Sequence, residues 1–256
     1  MNNNYINNNI SFGTGVTSLV KQEIRSANPT EIQQAIKRHF STECDFENNK
    51  TIAVATFYAL KLLREASEKF HLPFNITPPK IKVFKPTELV KQDSVNFGFC
   101  IGTPEKVIKK QPEFDARSIF IKNIPDNIKS WDKQVEEWYN THFISSDNFL
   151  APFLHEIFHN IHFGIIFKNS YPHGLSNVLS LNKDSFGFNQ NRIISEKVSR
   201  YAKTSKMELF SECLTKMMTE SIENNPIKLT SNPLDKLNQF PKFVREFIED
   251  QLYLNK

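Results

Sequence analysis

Residues 153–162 read Phe153-Leu154-His155-Glu156-Ile157-Phe158-His159-Asn160-Ile161-His162, and the rest of the chain is interpreted outward from them. The stretch holds the spacing His-Glu-x-x-His. In a helix, His155 and His159 lie one turn apart on the same face. Two imidazoles so placed can bind one zinc ion from the same side, at about 2.0–2.1 Å each. Glu156, about 100° round the helix axis, can reach a water beside such an ion and take its proton. The combination is the sequence form of a zinc-dependent hydrolase site.

The flanking residues predict the helix. Leu154, Phe158, Ile161 and Ile165 fall at i, i+4, i+7 and i+11, an apolar stripe of period 3.6. Asp147 or Asn148 offers an N-cap, and Pro152 is tolerated in the first turn. One face is expected to meet the core and another the metal.

Composition bounds the alternatives. A chain of 256 residues and 29.8 kDa can bury a sizeable core. Its net charge of +4 and pI near 8.8 are mild, and its Lys and Arg are scattered, so no nucleic-acid partner is indicated. The 23 Phe beside only 7 Gly point to a Phe-packed interior. Cys44, Cys100 and Cys213 are odd in number and far apart, which suits buried small side chains rather than disulfides or a cysteine metal site. No basic-then-apolar leader opens the sequence, and no run approaches the roughly 18 apolar residues of a membrane span. The expectation is a protein with no membrane segment, cytoplasmic or exported without a recognisable signal peptide. No oligomeric state follows from these features.

Along the chain, residues 1–9 form an Asn-rich tract expected to be a tail. Short helices are predicted at about 16–26 and 30–40, the second capped by Thr30. Together with the polar segment 41–50 these make an N-terminal unit, 1–50, ahead of a main domain, 51–256. A buried helix is predicted near 51–70. Three strands come next, at 80–85, 96–101 and 117–124, joined by turn-rich segments (86–94, 102–114) that suit an antiparallel meander. Helices are predicted at 130–141, 194–201 and 206–220, with an amphipathic one closing the chain from about 240. Lys168–Arg192, polar and containing Pro172, Gly174 and Gly187, reads as a long structureless stretch, either a functional loop or disordered. The fold class is α+β: a small, mostly antiparallel sheet whose edge strand lies over the metal helix, then a largely helical C-terminal part.

A catalytic zinc site takes three protein ligands and keeps one position open. An extended motif with Gly and His at the third and sixth positions after His159 is absent, for those positions hold His162 and Ile165. His162 shares a face with the two histidines but lies about 10 Å along the axis from His155. It is expected behind the ligands or at the surface. The better source of a third ligand is 201–212, Tyr-Ala-Lys-Thr-Ser-Lys-Met-Glu-Leu-Phe-Ser-Glu. Glu208 and Glu212 sit one turn apart on a helix whose other face is apolar. Like charges so spaced disfavour a helix slightly, and a nearby cation would remove that cost.

The pairing of His155-Glu156-x-x-His159 with Tyr201, six residues, then Glu208-Leu209-Phe210-Ser211-Glu212 resembles a known family. It is similar to the zinc metallopeptidase domain of anthrax lethal factor and the clostridial Pro-Pro endopeptidases, which are gluzincins of zincin-like fold. The resemblance spans about residues 50–254, although its specific motifs are only these two blocks. It implies Glu208 as third zinc ligand, Tyr201 as the donor that stabilises the oxyanion, and Glu212 as support for a ligand histidine. Phe158 departs from the pattern, standing where a Gly commonly precedes the second histidine, and His162 is unusual.

What the resemblance implies is a zinc-dependent endopeptidase with Glu156 as general base, acting on a protein or peptide bound in extended form. The strand at 117–124 is expected nearest the cleft. Two other readings stand beside it: a regulatory, repressor-cleaving metallopeptidase, and a non-enzymatic or vestigial zinc module. A structural site is closed by four protein ligands, so ligand number separates them.

Overall fold

Residues 27–74, 78, 80–84, 98–100, 118–169, 174–224 and 227–253 are described in the computed structural model. The Asn-rich tract 1–9, the helix expected at 16–26 and the turn segments 86–94 and 102–114 lie outside them.

Helix α1 (Pro29–Phe40) is capped by Asn28 rather than Thr30. The Glu31 N–H donates to the Asn28 side chain at 2.9 Å, and the Asn28 N–H donates to the Glu31 carboxylate at 2.8 Å. This reciprocal pair satisfies two donors that the first helical turn leaves free. Strand β1 (Glu43–Asp45), helix α2 (Lys50–Phe70) and strand β2 (Lys80–Phe84) come after it. Asn49 caps α2, accepting from the Ile52 N–H at 3.0 Å, and its amide donates to the Ile124 carbonyl at 2.6 Å. One residue thus starts the helix and ties it to the chain beyond the sheet.

Strands β3 (Gly98–Cys100) and β4 (Ile119–Lys122) complete a four-stranded sheet of order β1-β2-β4-β3. The pairs β1–β2 and β2–β4 are parallel, and only β3–β4 is antiparallel. The expected antiparallel meander is therefore corrected to a mixed, mostly parallel sheet. Two features cause it: β4 lies between β2 and β3 and runs parallel to β2, and β1 joins the far side with α2 as a crossover, as parallel neighbours require. The strand expected nearest the cleft, 117–124, is interior: β4 has β2 on one side and β3 on the other. Among the described residues β1 and β3 are the two edge strands, and β3 packs on the helix that carries His155 and His159 more closely than β4 does.

The rest is mainly helical: α3 (Ile128–Asn140), α4 (Ala151–Asn169), α5 (Gly174–Lys183), α6 (Phe188–Lys197) and α7 (Lys206–Thr219). A hairpin of β5 (Ile222–Asn224) and β6 (Ile227–Leu229), a 3-10 segment (Pro233–Gln239) and α8 (Lys242–Tyr253) finish the chain. The stretch 168–192 is not a long loop: α5 and the first half of α6 occupy much of it. Tertiary anchors outweigh its polar composition. The Lys206 N–H donates to the Asp184 carbonyl at 2.8 Å, and the Phe186 ring meets Phe243 and Phe247 at 5.6 and 5.8 Å.

The fold is thus a mixed helix-and-strand arrangement with α4 at its centre. Residues 151–166 are buried without a gap, so the apolar stripe is covered and the opposite side is covered too. A helix apolar around most of its girth behaves this way. Phe158 is wholly buried and meets the Phe74 ring edge-on at 5.3 Å. Ile32, Ile36, Phe40 and Phe46 join the same core, so residues 32–46 pack with the helices and strands of the main domain. Among the described residues, no helix is long and apolar enough to cross a membrane.

Candidate metal centre

Two helices supply the centre, and each enters it through a defined turn. Ahead of α4, Asn148 accepts from the Leu150 N–H at 2.9 Å through its side chain and from the Ala151 N–H at 2.8 Å through its carbonyl. Pro152 then falls in the first turn, where its missing N–H costs nothing. Ahead of α7, the Ser205 hydroxyl accepts from the Glu208 N–H at 3.2 Å. Glu208 occupies the position from which a capping-box glutamate turns back to the cap residue. Its carboxylate goes to the α4 histidines instead.

Three atoms meet there. Nε2 of His155 and Nε2 of His159 are 3.0 Å apart. Oε2 of Glu208 lies 3.0 Å from the first and 3.1 Å from the second. His155 and His159 are buried, and the Glu208 side chain is 16 % exposed. Tetrahedral ligands at about 2.0–2.1 Å from an ion stand roughly 3.3 Å from one another, close to this triangle. Three lone-pair atoms held together also need a proton or a cation between them. His155, His159 and Glu208 could therefore hold a metal ion.

The charges agree with that donor set. Burial opposes a charge on His155, but the adjacent carboxylates of Glu208 and Glu212 outweigh it and hold the imidazole well above its ordinary pKa. Burial would likewise raise Glu208, yet the charge of His159 and hydrogen bonds to both histidines hold it below the usual carboxylate range. Proton and carboxylate thus mimic, in the ion-free protein, the charge pairing a cation would supply.

Behind the ligands, Oε1 of Glu212 lies 2.8 Å from Nδ1 of His155, at an angle outside hydrogen-bond geometry. On the other histidine, the Ser211 hydroxyl lies 2.9 Å from Nδ1 of His159. Glu156 is buried, with Oε2 lacking a hydrogen-bond partner. Burial raises its pKa against the opposing charges of His155 and His159. A carboxyl whose pKa is raised in this way is a better proton acceptor than an exposed one.

Tyr201 is partly buried, with its ring 5.6 Å from that of His155 and stacked on Phe143 at 5.2 Å. Its N–H donates to the Phe143 carbonyl at 3.2 Å, which fixes the residue from both ends. Burial, then the charges of Glu208, Glu156 and Glu212, push its phenol far up, so it remains a donor.

The structure brings His155, His159, Glu208, Glu212, Tyr201 and Glu156 into one neighbourhood. His162 is elsewhere, and it is not at the surface. Its ring is wholly buried, stacks on Phe210 at 3.9 Å, and points Nε2 at Oε1 of Gln251 on α8, 2.9 Å away. Three contributors escaped the sequence reading: Ser211, Phe143 and Gln251. Only Ser211 carried a signal, since position 211 is i+3 from Glu208 and shares its helix face.

The chain matches no protein-family model, no curated protein and no solved structure.

Proposed function

We propose that the chain is a zinc-dependent endopeptidase of the gluzincin kind. The observation that supports it most is the triangle of His155, His159 and Glu208 donor atoms at 3.0–3.1 Å, beside the buried, pKa-raised Glu156. Three donors among the described residues, rather than four, match a site that keeps a position for a reacting molecule. Nitrogen and carboxylate donors in this number suit zinc.

When bound, zinc supplies Lewis acidity that polarises a carbonyl and acidifies a water. The chain's own residues do the rest. Glu156 takes the proton of the attacking water as its oxygen bonds to the carbonyl carbon, then hands it to the amine as the C–N bond breaks. The Tyr201 hydroxyl donates to the oxygen that gains charge. Glu212 and the α4 backbone hold His155 in place. An extended peptide is accommodated along β3, which among the described residues has a neighbour on one side only.

The test is cleavage of a peptide library by the zinc-loaded protein, with and without chelator. Chelation abolishes cleavage, and Glu156→Gln retains one zinc per chain while losing turnover. Glu208→Ala releases the metal by elemental analysis. Turnover by Glu156→Gln, or full zinc occupancy in Glu208→Ala, overturns the assignment of that residue.

A further inference from the structure

We infer that Ser211 is a positioning residue for the metal centre: its hydroxyl fixes the tautomer and orientation of His159. This rests on the reading of His155, His159 and Glu208 as metal ligands.

A ligating imidazole works best when its other nitrogen gives its proton to an oxygen, because that fixes the ring and leaves the ligating nitrogen with a lone pair. For His155 the nearest such oxygen is Oε1 of Glu212, 2.8 Å from Nδ1 though outside hydrogen-bond geometry. For His159 it is the Ser211 hydroxyl, 2.9 Å from Nδ1. A hydroxyl can donate or accept. Accepting from Nδ1–H is the mode that leaves Nε2 of His159 with its lone pair on the side of Glu208, 3.1 Å away.

The surroundings of this hydroxyl are closed to solvent. Ser211 has no exposed surface, and His159 is 8 % exposed, so water does not readily replace the contact. Serine inside a helix is neutral to unfavourable by itself. Alanine would fill nearly the same space with better helix propensity, at the cost of a buried nitrogen without a partner. The hydroxyl therefore earns its position through His159. Glu208, Ser211 and Glu212 stand at i, i+3 and i+4 of α7, so one face of one helix gives a ligand and the partners of both other ligands.

Two pairs of variants test this: Ser211→Ala against the unaltered protein, and Ser211→Val against Ser211→Thr. Thr and Val add the same bulk and differ only in the hydroxyl, so the second pair reads the effect even where packing is disturbed or the Ala variant does not fold. Zinc affinity is measured by competition with a chromophoric chelator, alongside the melting temperature of the ion-free protein and the visible spectrum of the cobalt-loaded form. Loss of the hydroxyl is expected to weaken zinc about 10- to 100-fold in each pair, to change the cobalt spectrum, and to lower ion-free melting only by the few degrees that one lost buried hydrogen bond costs. Equal affinities and spectra within both pairs overturn the role of Ser211 while leaving the metal site intact. An unaltered protein that binds no ion overturns the metal reading itself, and this role with it.

Discussion

Nδ1 of His155 lies 2.8 Å from Oε1 of Glu212, and the Glu212 side chain is only 2 % exposed. A carboxylate beside Nδ1 favours the ring form that carries its proton there, with Nε2 directed at Oε2 of Glu208, 3.0 Å away. Glu212→Gln preserves an acceptor of the same length and removes the charge. Zinc affinity, read by chelator competition, is expected to fall about 10- to 100-fold. An unchanged affinity would show that the charge of Glu212 is irrelevant to the ligand it touches.

On the proposed reading, the same pairing predicts a pH-dependent metal uptake. In the ion-free protein the pKa of His155 is raised by Glu208 and Glu212 against the effect of burial. A folded-state pKa above the unfolded value contributes stability that is full below about pH 6.5 and is lost as pH rises through the raised value. The ion-free protein should accordingly lose stability on the alkaline side, and zinc should restore it. Binding must displace the His155 proton, so affinity falls about tenfold for each pH unit below the raised pKa. Calorimetry in buffers of different ionisation enthalpy should find close to one proton released per ion. Zero release contradicts the proton-bridged site.

Tyr201 separates binding from chemistry. Its ring is held by stacking on Phe143, whereas its hydroxyl is the group assigned to the substrate oxygen. Tyr201→Phe keeps the ring and removes the donor. Loss of one such donor costs about 10²- to 10³-fold in kcat, with zinc content unaltered. Turnover within a few-fold of the unaltered protein would take Tyr201 out of the reaction.

The convergence of His155, His159 and Glu208 was legible because these residues are spaced in local periods. His155 and His159 are one turn apart, Glu208 and Glu212 likewise, and each pair carries apolar residues that fix the buried side of its helix. The sheet was not legible in this way. Strand β1 is three residues, Glu-Cys-Asp, with its outer two exposed, and it looks like the polar segment around it. Its parallel register with β2 depends on the 21-residue helix between them, a long-range fact that no strand period records. Helix α5 and the first half of α6 were hidden for a related reason, so that the helix expected at 194–201 in fact begins at Phe188 and ends at Lys197. Their sequence is polar, and what orders it is distant: Phe186 against α8, and Asp184 against the start of α7. Ser211 lay in between, since its face was predictable but its partner required the two helices to be docked.

His162 offers the remaining test, on folding rather than catalysis. Burial, reinforced by the charge of His159, pushes its pKa down to about 3, although the contact with Gln251 acts in the other direction. The neutral ring donates from Nε2 to Gln251, and Nδ1 has no partner in the core. Unfolding exposes the imidazole, which then takes up a proton anywhere between pH 6.5 and about 3. The unfolded state binds the extra proton, so stability is complete above pH 6.5 and declines as pH falls through that window. The slope for one proton is about 1.4 kcal/mol per pH unit. Denaturant unfolding of the zinc-free protein between pH 6 and 4, compared with His162→Asn, isolates this contribution, because the other titrating groups are common to both. His162→Asn is expected to be less stable at pH 7, having lost the stack on Phe210, and to lose stability more gently on acidification. Parallel pH slopes would mean that the ring reaches solvent or a proton before the fold opens, contrary to its enclosure between α4, α7 and α8.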